Sequence, residues 1–370
     1  MHISDLSTPA ALIERSTMEA NAKAMAQRAH RLAVRLRPHV KTHKCVEIAR
    51  LQVEGHFGGI TVSTFAEAQF FGAAGFRDIT LAVPIALGRL PKLFDFSQRV
   101  DAFHMLVDAE LAVSSLVSMA RDRKERASVF LKVDCGYGRA GVIPNSPNAF
   151  RLAQMLSEAD WVDFRGLLTH GGHSYDCTNR DEIRAGAEQE RLAVVDFAAA
   201  LRQRGIAVPE VSVGSTPTMC VVEDLSGVTE IRPGNYVLFD QFQATIGSCA
   251  PDDVAISVLA TVIGSYPDRF ILDCGALALS KDVGPIHVDA DCGYGRLMTE
   301  DMKPIDRLAL VGLSQEHGKV VGPSAHQFQV GDRLRVVPNH SCLTMACFES
   351  AHIVDGDHVV AGVHPCRGWS

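Results

Sequence analysis

Residues 128–141 read "SVFLKVDCGYGRAG", an apolar, β-branched run followed by three glycines (Gly136, Gly138, Gly141) in the pattern G-x-G-x-x-G. Two folds compete for such a stretch. A dinucleotide-binding turn needs the glycines to open a helix directly, in the first strand–helix unit of a doubly wound sheet. Here "VIPNSP" (142–147) intervenes, and comparable apolar runs already precede this one at 36–40, 58–62, 78–83 and 102–107. Further runs follow at 164–170, 210–215 and 237–240, the last with the lead-in "EIRPGNY" (230–236). Segments of helical spacing fill the intervals. Eight alternations predict an α/β fold, a parallel (β/α)8 TIM barrel over 13–249, with a doubly wound open sheet as the alternative. The nucleotide-binding reading of the glycines is set aside.

After Cys249 the texture changes. Residues 253–275 and 332–362 read as strands joined by Gly, Asp and Pro turns, with little helical spacing. A second, mostly antiparallel β domain is expected over 250–370, and residues 1–12 are compatible with either part. The hexapeptide "DCGYGR" recurs at 291–296 in unrelated flanks, which reads as coincidence or shared turn chemistry rather than a repeat.

Composition narrows the classes. The chain has 370 residues, 47% of them hydrophobic, and a formal net charge of −7, so neither nucleic acid nor an anionic membrane is an expected partner. No apolar run is long enough to span a bilayer, and "MHISDLSTPA" lacks the basic and apolar regions of a signal peptide. A cytoplasmic location is expected. The ten cysteines are scattered without a C-x-x-C pair, which reads as reduced thiols.

A barrel gathers its chemistry at the C-terminal ends of its strands. That register turns the basic cluster "RPHVKTHK" (37–44) toward the mouth, with Lys41 past the first strand, Arg139 past the fifth, His170 ending the sixth and Gly214–Ser215–Thr216 past the seventh. "SVGSTPT" and "RPGNY" offer glycines and hydroxyls where barrels often bind phosphate, although Ser and Thr also serve as ordinary helix caps. "THGGHSYD" adds His173 and Tyr175, suited to acid–base work or ring contacts. In "NHSC", His340 and Cys342 share one face if the segment is extended, and imidazole with thiolate suits zinc.

Seven segments in order, "RPHVKTHK", "VDCGYGRAGV", "GSTPT", "RPGNYVLFD", "LDCGALALSKD", "SQEHG" and "PNHSC", resemble the fold-type III pyridoxal 5'-phosphate enzymes of the D-serine dehydratase and D-threonine aldolase group, whose barrel is alanine racemase-like. The resemblance runs nearly end to end. It implies that Lys41 carries the cofactor, that Ser215, Thr216, Gly234 and Asn235 bind its phosphate, and that Arg139 lies near the pyridine nitrogen. It further implies a divalent metal on His340 and Cys342, a homodimer and a D-amino acid substrate. Dehydratases of the group resemble H-x-C with zinc, the aldolases H-x-D with manganese or a similar hard ion such as magnesium. Cys342 therefore favours a lyase that dehydrates D-serine or D-threo-3-hydroxyaspartate to a 2-oxo acid and ammonia. A D-threonine aldolase giving glycine and an aldehyde, with His170 or His173 as base, is the alternative. A non-catalytic pyridoxal phosphate carrier is a further one, disfavoured by the second domain.

Overall fold

A computed structural model describes residues 1–369 and divides the chain into two units: Met25–Lys41 with Ala49–Gly234 and Cys366 onward, and Met1–Ala24 with Thr42–Ile48 and Asn235–Pro365.

The first strand, β1 (Ala10–Glu14), belongs to the second unit. The next eight form one sheet in which every pair is parallel: β2 (Arg35–Leu36), β3 (Ile60–Val62), β4 (Asp78–Pro84), β5 (Ala102–Val107), β6 (Ala127–Lys132), β7 (Val162–Leu168), β8 (Glu210–Val213) and β9 (Glu230–Ile231). β9 pairs with both β8 and β2, and the chain just past β2 pairs with β3, Val40 N–H donating to Thr61 O at 2.9 Å. The ring of strands is thereby closed into the expected barrel. Helices follow the strands: α1 (Arg15–Arg31) leads in, then α2 (Val46–Val53), α3 (Phe65–Ala73), α4 (Leu90–Ser97), α5 (Glu110–Arg123), α6 (Pro147–Ser157), α7 (Arg180–Gln203) and α8 (Thr216–Val221). Caps start several of them, with Thr64, Ser146, Asn179 and Ser215 accepting first-turn N–H groups.

The eighth strand differs from expectation. It is Glu230–Ile231, and "VLFD" is instead a buried turn in which Leu238 N–H and Phe239 N–H donate to Asn235 O and Phe239 takes φ +49°. A short buried apolar run has the same hydropathy whether it is strand or turn, so periodicity cannot separate them.

At the N-terminal ends of the strands the barrel is stapled by charge. Arg37 is buried and donates to Glu230 at 2.7 Å and to Asp78 at 2.5 Å, and Asp78 also bonds His104. Burial opposes every one of these charges, yet pairing holds the Asp78 carboxyl below its usual range and raises Arg37.

The second unit is a nine-stranded mixed sheet. It contains β10 (Ile256–Ser265), β11 (Arg269–Leu272), β12 (Gly295–Met298), β13 (Ala309–Leu313), β14 (Gly318–Val321), β15 (Arg333–Pro338), β16 (Ala351–Asp355) and β17 (His358–Val363). All pairs are antiparallel except β1 with β16, and β1 is also the antiparallel neighbour of β10. Its core is apolar, built on Val258, Val262, Phe270, Leu272, Leu334 and Val336. Among the described residues no helix is long and apolar enough to cross a membrane.

Candidate functional site

In the barrel unit, the segment after β2 carries Lys41 past its pairing with β3. Lys41 N–H donates to His39 Nδ1 at 3.4 Å, and His39 Nε2 lies 3.3 Å from Ser63 Oγ. His39 and His170 are both held well below the usual imidazole range, first by burial and next by the charge of Lys41. His170 Nδ1 lies 3.2 Å from Gly214 O. A carbonyl only accepts, so this nitrogen carries the ring's proton and the neutral imidazole offers Nε2 as an acceptor. The His170 ring meets Tyr137 edge-on at 6.1 Å and Tyr175 at 6.5 Å, and the Arg139 guanidinium stands 5.1 Å over Tyr137. Lys41, Arg139, His170 and Tyr175 therefore share one neighbourhood. The His173 ring reaches the following helix, its Nε2 3.3 Å from Gly186 O of α7.

The loop after β8 has the features a phosphate needs. Ser215 and Thr216 are buried, Ser215 caps α8, and Gly214 takes φ +119°, where a side chain would be strained and its Cβ would come within 3.2 Å of Arg232 N. At Gly234 a Cβ would strike His39 O at 2.6 Å. These glycines preserve a backbone cradle, which fits the phosphate of pyridoxal 5'-phosphate. Asn235 belongs to the second unit, and its side-chain amide donates to Asp240 Oδ2 at 2.6 Å and Ser341 Oγ at 2.8 Å, leaving its own buried Oδ1 without a protein partner among the described residues.

Two cations escaped the sequence reading. Lys132 ends β6, is 5% exposed, and is held at about 7, by burial first and then by Arg232. Arg232 is lowered to about 10 by burial and donates to Ser212 Oγ at 2.5 Å and to Thr169 O. A lysine inside the otherwise apolar "SVFLKV" was the available signal.

In the second unit His340 and Cys342 do come together, by a different route from the expected strand face. β15 ends at Pro338, and His340 is the N-cap of α9 (Ser341–Cys347), so Cys342 lies in the first turn of a helix. Asp282 Oδ2 receives His340 Nδ1 at 2.9 Å, and Thr42 Oγ1 lies 3.2 Å from Cys342 Sγ. Burial works against a charged His340, but the bonds to Asp282 and Cys342 prevail and push it up to about 11. An imidazole so paired, touching a thiol, is a donor set that fits a borderline-soft divalent metal, which would displace the shared proton. Asp282 then acts as the carboxylate that fixes the ring of a ligating histidine. Among the described residues no three His, Cys, Asp or Glu side chains gather for a metal, so water or substrate would complete the shell.

Two family descriptions match the chain: "Alanine racemase, N-terminal domain" over residues 13–241 and "Putative serine dehydratase domain" over 255–354. The chain is 39% identical to D-threo-3-hydroxyaspartate dehydratase of Delftia sp. (strain HT23), over 98% of each chain. It is 34% identical to D-serine dehydratase of Dictyostelium discoideum, over 99% of this chain and 98% of that one. A solved structure of a D-threo-3-hydroxyaspartate dehydratase mutant in the metal-free form superposes with a TM-score of 0.94 at 37% identity, covering all of both chains.

Proposed function

The chain belongs to the fold-type III pyridoxal phosphate family that joins an alanine racemase N-terminal domain to a serine dehydratase domain, and from that premise we propose that it dehydrates D-β-hydroxy amino acids of the D-serine and D-threo-3-hydroxyaspartate type. The products would be a 2-oxo acid and ammonia. The observation that carries the choice of dehydration is the His340–Cys342 pair with Asp282 behind it, a nitrogen–sulfur donor set suited to zinc rather than to manganese or magnesium.

When bound, pyridoxal 5'-phosphate would stabilise negative charge at the substrate Cα and zinc would stabilise the hydroxide leaving Cβ. The chain's residues supply the rest. Lys41 would hold the cofactor, and its Nζ would take the α proton of the substrate. Ser215, Thr216, Gly234 and Asn235 would hold the phosphate, and Arg139 would keep a proton off the pyridine nitrogen. Neutral His170, its Nδ1 proton engaged by Gly214 O, presents an acceptor and not an acid beside Tyr175. His173, bound to α7, is the weaker candidate for a base. Asp282 sets the ring plane of His340, and Thr42 supports the Cys342 sulfur. Residues 13–249 and 250–370 serve as working domain limits; a homodimer in the cytoplasm completes the proposal.

The test is a product assay on D-serine, D-threo-3-hydroxyaspartate and D-threonine. Ammonia with a 2-oxo acid is expected. Glycine with an aldehyde, released faster than ammonia, would replace the dehydratase by the aldolase, and no turnover with bound cofactor would leave a carrier.

A further inference from the structure

Helix α7 buries a stripe at Ile183, Ala187, Glu190, Val194, Phe197 and Leu201, spaced as a core-facing face. One member is a carboxylate. Glu190 is 0% exposed, and leaving it there without partners would be costly. Its Oε1 accepts from Gly171 N at 2.6 Å and from Gly214 N at 2.9 Å, and its Oε2 accepts from Thr218 Oγ1 at 3.1 Å. Gly171 N belongs to the loop after β7, which also carries His170 and Tyr175. Gly214 N and Thr218 belong to the loop and helix start after β8, which carry Ser215 and Thr216. One carboxylate thus spans two active-end loops. The approach is close enough that a Cβ at Gly171 would meet Glu190 Oε2 at 2.8 Å.

The bond to Thr218 also orders protons. With its hydrogen given to the carboxylate, Thr218 Oγ1 is left as an acceptor, and Ser215 N–H donates to it at 3.1 Å. Ser174 Oγ gives its hydrogen to Gly171 O at 2.6 Å and stands 3.0 Å from Ser215 Oγ. Ser215 Oγ also lies 2.9 Å from Thr218 Oγ1. With the hydrogens of Thr218 and Ser174 so committed, the Ser215 hydrogen rests on another hydroxyl and not on a carboxylate or carbonyl. It is the one available to turn toward an anion.

We propose that Glu190 is a positioning residue for phosphate recognition, fixing the spacing of the loops after β7 and β8 and leaving the Ser215 hydroxyl as a donor. This rests on the reading of Ser215 and Thr216 as phosphate ligands. Glu190 touches neither substrate nor cofactor; it acts through Gly171, Gly214 and Thr218.

The experiment titrates the full-length chain, stripped of cofactor, with pyridoxal 5'-phosphate and with pyridoxal, for wild type, Glu190→Ala, Glu190→Gln and the double variant Ser215→Ala/Thr216→Ala. Glu190→Ala is expected to weaken pyridoxal 5'-phosphate by about tenfold or more while leaving pyridoxal within about twofold. Glu190→Gln keeps an oxygen for the two glycine N–H groups but turns an NH2 toward Thr218, which frees the Thr218 hydrogen to compete for Ser215. Its loss should be selective in the same sense but smaller, and it carries the test if Glu190→Ala does not fold. Equal loss of both ligands would reduce Glu190 to a structural clamp and overturn the proposal. So would unchanged discrimination in the Glu190 variants while the Ser215/Thr216 variant loses it. If neither set alters discrimination, the phosphate reading itself fails and the inference falls with it.

Discussion

Asp282 Oδ2 stands 2.9 Å from His340 Nδ1, a contact between residues 58 positions apart that leaves the other ring nitrogen of His340 as the one for a metal. Asp282→Asn keeps the shape but replaces the anion by a neutral amide. Loss of such an orienting partner weakens metal binding by about 10- to 100-fold. Zinc content after dialysis against a competing chelator should fall while the cofactor stays bound, since the two use different residues. Zinc retained as in wild type would remove Asp282 from the metal's surroundings.

Lys41→Ala should abolish the visible absorption of the cofactor-loaded protein. Borohydride reduction and peptide mapping of wild type should place the label on Lys41 alone. Lys132 makes this demanding, because at about 7 its amine is partly unprotonated at neutral pH. A label on Lys132 or Lys281 would overturn the assignment.

Replacing Ser215 and Thr216 together by Ala removes two hydroxyls that would face a dianion. Hydrogen bonds to charged groups contribute roughly 1.5 to 3 kcal/mol each, so cofactor affinity should fall by more than about tenfold. An unchanged equilibrium titration would put the phosphate elsewhere.

Lys132 binds its proton less tightly in the fold, at about 7, than at the ordinary 10.5 of an unfolded chain. Between those values the unfolded chain holds the extra proton, so this group makes stability rise with pH across the window. Below about pH 7 the burial cost is present in full, and it vanishes above the unfolded value. Lys132→Met should therefore stabilise the chain by about 2 to 4 kcal/mol at roughly pH 6 and by much less near pH 10. Urea denaturation at the two pH values measures it; destabilisation at the lower pH would show that the ammonium is well paired.

The local pattern of the chain was enough for the architecture. Alternating β-branched runs and helical spacings reflect which face of each element is buried, and burial repeats at a period visible along the sequence. The same pattern placed "SVFLKVDCGYGRAG" in the fifth barrel strand and aimed Lys41, Arg139, His170 and the Ser215–Thr216 loop at one end. What it missed depends on contacts between distant residues. The pairing of Glu230–Ile231 with both β8 and β2, and of Ala10–Glu14 with β10 and β16, is decided by closure of two sheets and not by the hydropathy of those short segments. His340 and Cys342 meet because a helix begins between them, although alternation along a strand would predict the same neighbours. Asp282 in "SKDVG" and Glu190 in "EQER" stand among polar neighbours along the chain, and Lys132 is a lone cation in an apolar run. Only tertiary structure shows that one faces an imidazole, one a buried guanidinium and one the backbone of two loops, because a charge in a core is defined by the partners that folding brings to it.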